Sequence, residues 1–360
     1  MALLIAEGFD IYGYNGQFSS NNCVLDSRMF GGPSATTLQT TEGRRSGPCI
    51  RIGGNTYGIQ SSNYWGIRLL TNKADGTFGV AVLAEYTGTA SGDMIRIRSA
   101  TGATQFDIDV TPAGRIRVKT AYNGTVLAES ADGVITFGAY QFLEVQFTCT
   151  GTDSIQVWVD GTEVIALTTG INLRQSGAGG FGQLLLGPYS SSISAFTDWD
   201  DLYILDSSGD APFNDRLGDQ KMDGHLFTSD GSVLQWTSNK ASHYDAINDR
   251  GSTYATYYNE SDAEGECDCY GITPNDMTTI LAVTIRAYCR NPGGGTAKFR
   301  PFVKFGEGSG DVYFGDEVTL PADTCDLREY TWYENPQTTA AWTKTQLQSV
   351  EFGWECTELS

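Results

Sequence analysis

The sequence predicts an all-β protein made of two β-sandwich (jelly-roll-like) domains in tandem. Three observations favour this fold class: short runs of β-branched and aromatic residues, frequent interruption of those runs by Gly, Asn and Asp, and no stretch of ten or more residues with helical periodicity. The length of 360 residues exceeds one small core and suits two domains. With 40% hydrophobic residues, the chain has ordinary apolar content for two folded cores.

The clearest strands of the first half alternate apolar and polar residues with a period of two. Residues 94–98 and 115–119 read MIRIR and RIRVK, and residues 105–110 between them read QFDIDV. This alternation predicts strands with one buried face and one solvated face. The turn residues TPAG at 111–114 make the group an antiparallel meander.

Three more strands are expected after TVLA, at residues 140–147, 154–159 and 162–165. The last two are separated by Asp160 and Gly161. This pair predicts a two-residue hairpin, because Gly tolerates the positive φ that such turns require. The meander therefore continues with mostly short connections.

The closing strand of the first sandwich is expected at residues 199–204, beside an opening strand that contains residues 9–12, because sandwiches commonly pair their first and last strands. The turn chemistry that follows suggests where the domain ends. We predict a first domain over residues 1–206, a linker over 207–216, and a second, smaller β-sandwich over 217–360.

The second half repeats the β-rich pattern with fewer strands. Its apolar runs are residues 233–236, 280–288, 299–305, 331–333 and 349–354. The sequence PGGG at 292–295 predicts a long hairpin tip. Residues 342–347 predict one short helical turn before the last strand.

The charge balance limits the classes of partner. The chain carries 23 basic and 43 acidic residues, a net charge of −20, and an acidic surface repels phosphate backbones. Nucleic acid is therefore not an expected partner. The apolar run at residues 2–6 is too short for the core of a signal peptide, and no 18-residue apolar window predicts a membrane span. Release inside a virus particle is one route out of a cell without a signal peptide.

Two parts of the chain resemble bacteriophage proteins. Residues 114–165 combine an Asn-Gly turn, TVLA, LEV and VWVDG in that order, which resembles concanavalin A-like and laminin-G-like jelly rolls of phage virion proteins. Residues 200–224, with QWTSN at 235–239 and the stretch at 331–353, resemble the tail half of a group of phage structural proteins.

The resemblance implies a non-enzymatic structural component of a tailed phage virion. Such a protein would be assembled in the host cytoplasm and would sit on the exterior of the tail or neck. It would dock to other virion proteins and to copies of itself in a symmetric homo-oligomeric assembly. A capsid decoration protein and a carbohydrate-binding adhesin that recognises a host-surface glycan are the alternatives.

A carbohydrate site would use aromatic rings in loops, since lectins stack sugars on such rings and hold sugar hydroxyls with Asp and Asn. Most aromatic residues of a sandwich belong to its core. The loop candidates are Tyr57, Tyr64, Trp65, Tyr189, Tyr257 and Tyr258.

The aspartate-rich stretch at 197–220 is the candidate for a metal site. Its calcium candidates are Asp198, Asp200, Asp201 and Asp206. Calcium prefers six to eight oxygen ligands, but the spacing is not that of an EF-hand. The alternative is a strand edge with turn aspartates. No other cofactor is expected.

No catalytic residue is predicted. Asp107 and Asp109 alternate on one strand, but their pattern is that of an exposed strand face rather than a glycosidase pair. His225 and His243 lie in no recognisable catalytic motif and are interpreted as surface or hydrogen-bonding residues.

The cysteines are divided unevenly between the two halves. They are Cys23, Cys49 and Cys149 in the first half and Cys267, Cys269, Cys289, Cys325 and Cys356 in the second. Because both counts are odd, full oxidation would require at least one disulfide between domains or between chains. One hypothesis is covalent stapling of neighbouring subunits in a particle. The alternative is that most are reduced, buried small residues.

Overall fold

The computed structural model confirms the all-β fold class with two sandwich units in tandem. The first unit extends to Gly224, and the second comprises His225–Ser360. Among the residues that the structure describes, no helix is long and apolar enough to cross a membrane. The structure describes residues 3–9, 29–31, 36–39, 43–45, 49–53, 64–85, 92–120, 124–174, 180–187, 196–248, 257–274, 277–306, 310–320, 322 and 325–360.

The first unit consists of strands and their connections. Its strands are β1 (Leu3–Glu7), β2 (Met29–Gly31), β3 (Thr36–Gln39), β4 (Cys49–Gly53), β5 (Trp65–Lys73), β6 (Asp75–Ala84), β7 (Gly92–Arg98), β8 (Thr104–Val110), β9 (Ile116–Lys119), β10 (Val126–Glu129), β11 (Tyr140–Thr148), β12 (Asp153–Val159), β13 (Thr162–Ile171), β14 (Phe181–Leu186) and β15 (Phe196–Leu205).

These strands form two antiparallel sheets. The larger sheet has the order β13-β12-β11-β6-β15-β4-β3, with β1 also paired to β15, and the smaller has the order β10-β9-β8-β7-β14-β5-β2. The predicted meander is therefore divided. Strands β7 to β10 are neighbours in the smaller sheet, and β11 to β13 are neighbours in the larger one.

The predicted hairpin between β12 and β13 is confirmed. Asp160 and Gly161 both have positive φ, 49° and 77°, and Val159 pairs with Thr162 across the turn. Two successive positive φ values are the signature of the tight turn that matches strand twist.

The side chain of Phe147 on β11 lies at the centre of the core between the two sheets. Its ring contacts Phe106 of β8 and Phe181 of β14 with centroid separations of 5.1 and 5.3 Å. Both contacts are edge-to-face, the arrangement that aromatic quadrupoles favour. Because Phe106 and Phe181 belong to the smaller sheet, this cluster joins the two layers.

The first and last strands of the unit do pair, but the pairing uses Leu3–Glu7 of the opening strand rather than the expected residues 9–12. Strand β1 pairs with β15, with Ile5 opposite Ile204. Phe9 has φ 59°, which ends the extended run. Of the predicted segment 9–12, residues 10–12 lie outside the described residues.

Strand β15 contains a bulge at Asp201. This residue has φ 50°, and the pairing with β6 shifts register between Asp200 and Tyr203. An extra residue in one strand changes which side chains face the core. The bulge explains why the sequence of β15 departs from strict alternation.

The stretch predicted as a linker, residues 207–216, belongs instead to the first unit, which ends only after Gly224. We call residues 207–218 the covering segment. Within it, Phe213 is buried. Its composition of Ser, Gly, Asp and Pro is that of a turn or linker, so the sequence gives no sign of this packing.

Glu144 on β11 holds the covering segment to the larger sheet. Its fully buried carboxylate forms an ion pair with Arg216 at 2.8 Å and accepts a hydrogen bond from the Gly218 N–H at 2.8 Å. It also accepts a hydrogen bond from the Tyr203 hydroxyl at 2.6 Å. The Arg216 guanidinium lies over the Trp158 ring, 4.8 Å from its centroid. A buried carboxylate with these partners fixes the segment in place.

The second unit contains ten strands and two short helices among its described residues. They are β16 (Phe227–Leu234), β17 (Thr237–Ser238), α1 (His243–Ile247), β18 (Asn259–Glu260), β19 (Cys267–Ile272), β20 (Val283–Arg290), β21 (Ala297–Phe305), β22 (Val312–Phe314), β23 (Val318–Thr319), β24 (Cys325–Trp332), α2 (Lys344–Ser349) and β25 (Val350–Leu359).

A six-stranded sheet forms one layer of this unit, with the order β16-β19-β25-β21-β22 and β23 also paired to β21. Strands β20 and β24 form a two-stranded sheet, and β17 and β18 form a separate ribbon. Trp332 of β24 packs against Phe352 of β25, with ring centroids 5.9 Å apart. The two sheets therefore share one core, and the layers of this sandwich are unequal, with six strands in one and two in the other.

The predicted helical turn is confirmed as α2. Thr343 caps it, because its side chain accepts a hydrogen bond from the Gln346 N–H while the Gln346 side chain accepts one from the Thr343 N–H.

The prediction of a hairpin at residues 292–295 is wrong. The strands on either side, β20 and β21, pair with β24 and β25 respectively, so this connection passes between sheets.

Candidate functional site

The structure separates the six loop aromatics proposed for carbohydrate binding. Trp65 is buried in the core and Tyr64 is half-buried. Tyr57 and Tyr189 lie outside the described residues. Tyr257 and Tyr258 are neighbours on the surface of the second unit, with 38% and 43% of their areas exposed.

The two exposed tyrosines belong to a short two-stranded element that we call the tyrosine ribbon, residues 237–240 and 257–260. Its strands are β17 and β18, paired with Ser238 opposite Asn259. The Asn239 side chain accepts a hydrogen bond from the Tyr258 N–H at 3.0 Å, and the Asn239 N–H donates to the Tyr258 carbonyl. These bonds fix the backbone that carries the rings.

Lys240 provides a cation at the edge of the tyrosine ribbon. Its Nζ lies 4.0 Å from the centroid of the Tyr257 ring and 3.3 Å from a carboxylate oxygen of Asp245. A cation above a ring face is attracted by the ring quadrupole, and this contact orients the Tyr257 ring. The ribbon thus combines two aromatic rings, an ammonium group and a carboxylate.

A buried hydrogen-bond network connects the tyrosine ribbon to strand β19 and helix α1. The fully buried carboxylate of Asp268 lies 2.6 Å from His243 Nδ1 and accepts a hydrogen bond from the Tyr270 hydroxyl at 3.0 Å. The Asn259 side chain donates to the Tyr270 hydroxyl and to the His243 carbonyl, at 2.8 and 3.0 Å. His243 is thus a hydrogen-bonding histidine. Satisfied buried networks rigidify the structure around them.

The four predicted calcium ligands do not converge on one point. Asp198 forms a bidentate ion pair with Arg51, with N–O distances of 2.7 and 2.6 Å. Asp206 pairs with Lys73 at 2.7 Å, and its pKa is lowered, because hydrogen bonds from Lys73 and Ser208 outweigh desolvation, the largest single contribution. These two carboxylates are therefore neutralised by the chain's own cations.

Asp200 and Asp201 lie together at the bulge, near Arg44. Asp200 accepts a hydrogen bond from the Arg44 N–H at 2.9 Å, and Asp201 accepts one from the Met222 N–H at 2.8 Å. The nearest guanidinium nitrogen of Arg44 is 3.9 Å from Asp201. Among the described residues, no group of three or more His, Cys, Asp or Glu side chains is placed to hold a metal ion. A calcium site stays a prediction.

Replacing Asp201 by asparagine is expected to stabilise the first unit at pH 8. Burial raises the pKa of Asp201 to about 6, against an opposing hydrogen bond from Met222. The folded state therefore binds this proton more tightly than the unfolded state. Stability from the neutral carboxyl is present below about pH 4 and is lost as the pH rises through about 6. The expected gain at pH 8 is roughly 1–2 kcal/mol.

Thermal unfolding of the Asp201→Asn variant between pH 4 and pH 8 tests this expectation. Asparagine retains the acceptor for Met222 and tolerates the positive φ at this position. The exposed Asp132, paired with Arg115, offers the matched control Asp132→Asn, which should change stability little at any pH. A stabilisation that does not grow with pH would contradict the proposed cause.

The polar face of β7, β8 and β9 carries buried charges, which we call the charge ladder. Arg96 forms a bidentate pair with Asp107 at 2.8 and 2.9 Å, and Arg117 forms one with Asp109. This ladder consists of Asp93, Arg96, Asp107, Asp109, Arg117 and Lys119. The alternation predicted an exposed face, but Asp107 and Asp109 are fully buried beneath their cations.

Lys119 occupies the centre of the charge ladder. Its Nζ is 2.7 Å from Asp93 and 2.8 Å from Asp109. Burial raises the pKa of Asp93, although the hydrogen bond from Lys119 opposes that shift. Each carboxylate of the ladder thus serves to neutralise a neighbouring cation, and this arrangement provides structural cohesion.

Several cysteines fit the interpretation as buried thiols. No disulfide joins any of the cysteines whose side chains the structure describes. Burial raises the pKa of the Cys49, Cys149 and Cys269 thiols to about 12, so they stay protonated at neutral pH. The side chains of Cys23 and Cys325 lie outside the described part. Covalent stapling between subunits stays a prediction.

The remaining cysteines of known placement are Cys267 and Cys289, half-buried on β19 and β20, and Cys356, buried on β25. In Cys267-Asp-Cys269, the two cysteines alternate with Asp268, whose carboxylate pairs with His243. Asp268 therefore belongs to the buried hydrogen-bond network of the tyrosine ribbon.

Sequence reasoning missed Lys240 and Asp268 as parts of the candidate site. Lys240 directly follows QWTSN, in a stretch without strand periodicity. Asp268 lies between Cys267 and Cys269, and this spacing is typical of thiol chemistry rather than of a buried carboxylate. A charged residue inside a short apolar strand was the available signal, since buried carboxylates require partners.

Comparison with known proteins gives likenesses of fold only. No model of a protein family matches the chain, and no curated protein matches it. Among solved structures, the cellulose-induced protein Cip1 matches with 14% identity and a TM-score of 0.42, covering 60% of this chain and 100% of that one. The alginate lyase Aly36B matches with 14% identity and a TM-score of 0.41, covering 56% and 95%.

The carbohydrate binding module CBM66 from Bacillus subtilis matches with 12% identity and a TM-score of 0.33, covering 50% of this chain and 97% of the module. All three TM-scores are below 0.5, so these likenesses identify neither a family nor a ligand for this chain.

Proposed function

We propose that this protein is a non-catalytic carbohydrate-binding adhesin whose second unit binds glycans on the tyrosine ribbon. The observation that carries the proposal is the pair of neighbouring exposed rings, Tyr257 and Tyr258, on a hydrogen-bonded frame. Large aromatic side chains are usually buried, and an exposed adjacent pair is a feature of binding surfaces.

The chemistry of the ribbon fits a sugar. A pyranose ring has an apolar C–H face and a rim of hydroxyl groups, and a tyrosine has an apolar ring and a polar tip. Stacking on Tyr257 or Tyr258 would place sugar hydroxyls near Lys240 and Asp245, which donate and accept hydrogen bonds respectively. The frame is fixed before binding, which lowers the entropy cost of association.

A neutral glycan fits better than a nucleic acid, whose bases also stack on aromatic rings. Nucleic acid binding combines such rings with a positive groove. Among the described residues of the ribbon, the cation Lys240 is paired with Asp245, and the adjoining Glu260, Asp262 and Glu264 are exposed. This acidic surrounding repels phosphates.

Binding of the full chain to a glycan array, followed by calorimetry with the strongest ligand, tests the proposal. The double variant Tyr257→Ala/Tyr258→Ala should lose about tenfold or more in affinity. Phe314 on β22 is exposed to a similar extent, 44%, and lies outside the ribbon, so Phe314→Ala is the matched control. Both rings of the ribbon are partly exposed, and the fold should persist, as circular dichroism can verify.

Two results would contradict the proposal. The first is that the wild-type chain binds no glycan on the array. The second is that Phe314→Ala weakens binding as much as the double tyrosine variant does.

A second candidate function is that of an exterior virion component, in the tail or neck or as capsid decoration, which docks to other virion proteins. The apolar side chains Leu167 and Val126 favour it, since they are exposed on β13 and β10, one edge strand of each sheet of the first unit. Labelling of intact particles with an antibody against this chain tests it. If the antibody labels no phage particle, this function is contradicted.

A further inference from the structure

A pocket lies on the outer face of the larger sheet of the first unit, beside the covering segment. Its volume is about 140 Å³, and we call it the side pocket. Strand β6 contributes Thr77, strand β11 contributes Gln146 and Thr148, strand β12 contributes Ser154, and the covering segment contributes Asn214. The pocket is therefore lined jointly by the sheet and by the covering segment.

The lining mixes polar and apolar surface. Hydroxyl and amide groups predominate among its polar groups, and each of these groups can both donate and accept hydrogen bonds. Among the described residues that line the pocket, Asp75 carries the one charged group. Leu167 supplies an apolar side chain that is 60% exposed, the most exposed of the large hydrophobic residues in the described part.

Part of this polar lining is already ordered. The hydroxyl groups of Thr148 and Ser154 are 3.0 Å apart, and the Ser154 N–H donates to the Thr148 hydroxyl at 3.0 Å. The Gln146 amide donates to Asp215 of the covering segment at 3.2 Å, which holds this lining side chain in place. Ordered groups bind a ligand at lower entropic cost than mobile ones.

We propose that the side pocket binds one neutral sugar residue, as a second carbohydrate site separate from the tyrosine ribbon. Sugar hydroxyls both donate and accept, which matches the hydroxyl and amide lining, and a sugar C–H face matches Leu167. The volume of about 140 Å³ is below the roughly 300–1,000 Å³ of usual ligand pockets, which suits a single ring and not an oligosaccharide. The choice of a sugar rests on the proposed carbohydrate-binding function.

Other classes of ligand fit less well. An anion would meet the carboxylate of Asp75 in a chain of net charge −20. A divalent cation would find one carboxylate where it prefers several. A hydrophobic ligand would bury the hydroxyl and amide groups without partners.

The test measures saturation-transfer NMR signals from methyl β-D-glucopyranoside, methyl β-D-galactopyranoside and methyl β-D-xylopyranoside with the full chain. The variant Gln146→Ala/Asn214→Ala should weaken binding about tenfold, because it removes two hydrogen-bonding groups from the lining. Asn214→Ala alone, at an exposed position, guards against a folding defect in the double variant. Gln156→Ala, on β12 but outside the lining, is the matched control.

The Tyr257→Ala/Tyr258→Ala variant separates this inference from the proposed function. The pocket inference is supported if that variant binds a methyl glycoside as the wild type does while the Gln146→Ala/Asn214→Ala variant does not. It is overturned if no glycoside binds the wild type, or if binding survives the pocket variants. A chain that fails on the glycan array can still bind a methyl glycoside in the pocket, so the two failures are distinguishable.

Discussion

Replacing Phe147 by alanine is expected to lower the free energy of unfolding of the first unit by about 3–5 kcal/mol. The fully buried ring contacts Phe106 and Phe181 from the opposite sheet and Phe78 from its own. Its removal deletes apolar contacts and leaves a cavity between layers that the rigid sheets cannot close. Urea unfolding measures the loss, and hydrogen exchange detected by mass spectrometry assigns it to peptides of residues 64–205.

Leu167→Ala is the control for this substitution. It removes a similar apolar side chain from an exposed position, and the expected change is within about 0.5 kcal/mol. If Phe147→Ala costs no more than this control, the aromatic cluster is not what holds the two sheets together.

Replacing Lys119 by methionine is expected to destabilise the first unit by about 3–5 kcal/mol at pH 8, with a smaller loss at pH 5. Lys119 is nearly buried between Asp93 and Asp109, so its removal leaves two buried carboxylates short of positive charge. The pKa of Asp93 is already raised by burial, and it should rise further without the Lys119 hydrogen bond. A carboxyl with a raised pKa favours the folded state as the pH falls, which gives the direction of the effect.

Arg115→Met supplies the comparison. Arg115 pairs with Glu129 and Asp132, which are exposed, so this loss should be much smaller than that of Lys119→Met. Unfolding midpoints of both variants at pH 5 and pH 8 give the measurement. A Lys119→Met penalty that is the same at both pH values would show that the side chain acts through packing rather than charge.

Features that depend on adjacent residues were predictable from the sequence. Asp160 and Gly161 determine their hairpin locally, and Thr343 and Gln346 determine the start of α2, because each requires only neighbours in the chain. The alternation in β7, β8 and β9 likewise predicted the strands, since side chains of a strand point to opposite faces.

Features that depend on distant residues were not predictable in this way. The pairing of Glu144 with Arg216 joins residues 72 positions apart, and turn-forming composition concealed the packing of the covering segment. The burial of Asp107 depends on Arg96 lying on the neighbouring strand. Alternation with a period of two identifies the polar face of a strand. Whether that face is solvated or is covered by cations of the neighbouring strands depends on how the strands are aligned in the sheet.

Sequence also identified the exposed tyrosines only as two of six aromatic candidates. Their selection required knowing that Trp65 is core and that Tyr257 and Tyr258 are not. The frame of Asn239, with its bonds to Tyr258, likewise connects chain segments that no local pattern relates.

The packing of the covering segment determines where this protein can be cut. A fragment that stopped at Leu205 would lose Arg216 and the Gly218 N–H, and Glu144 would be left as a desolvated carboxylate beside an uncovered Trp158. Such a fragment would expose the apolar ring of Trp158 and should aggregate. A fragment that ends at Gly224 retains its own cover, and so should remain in solution as an independent β-sandwich.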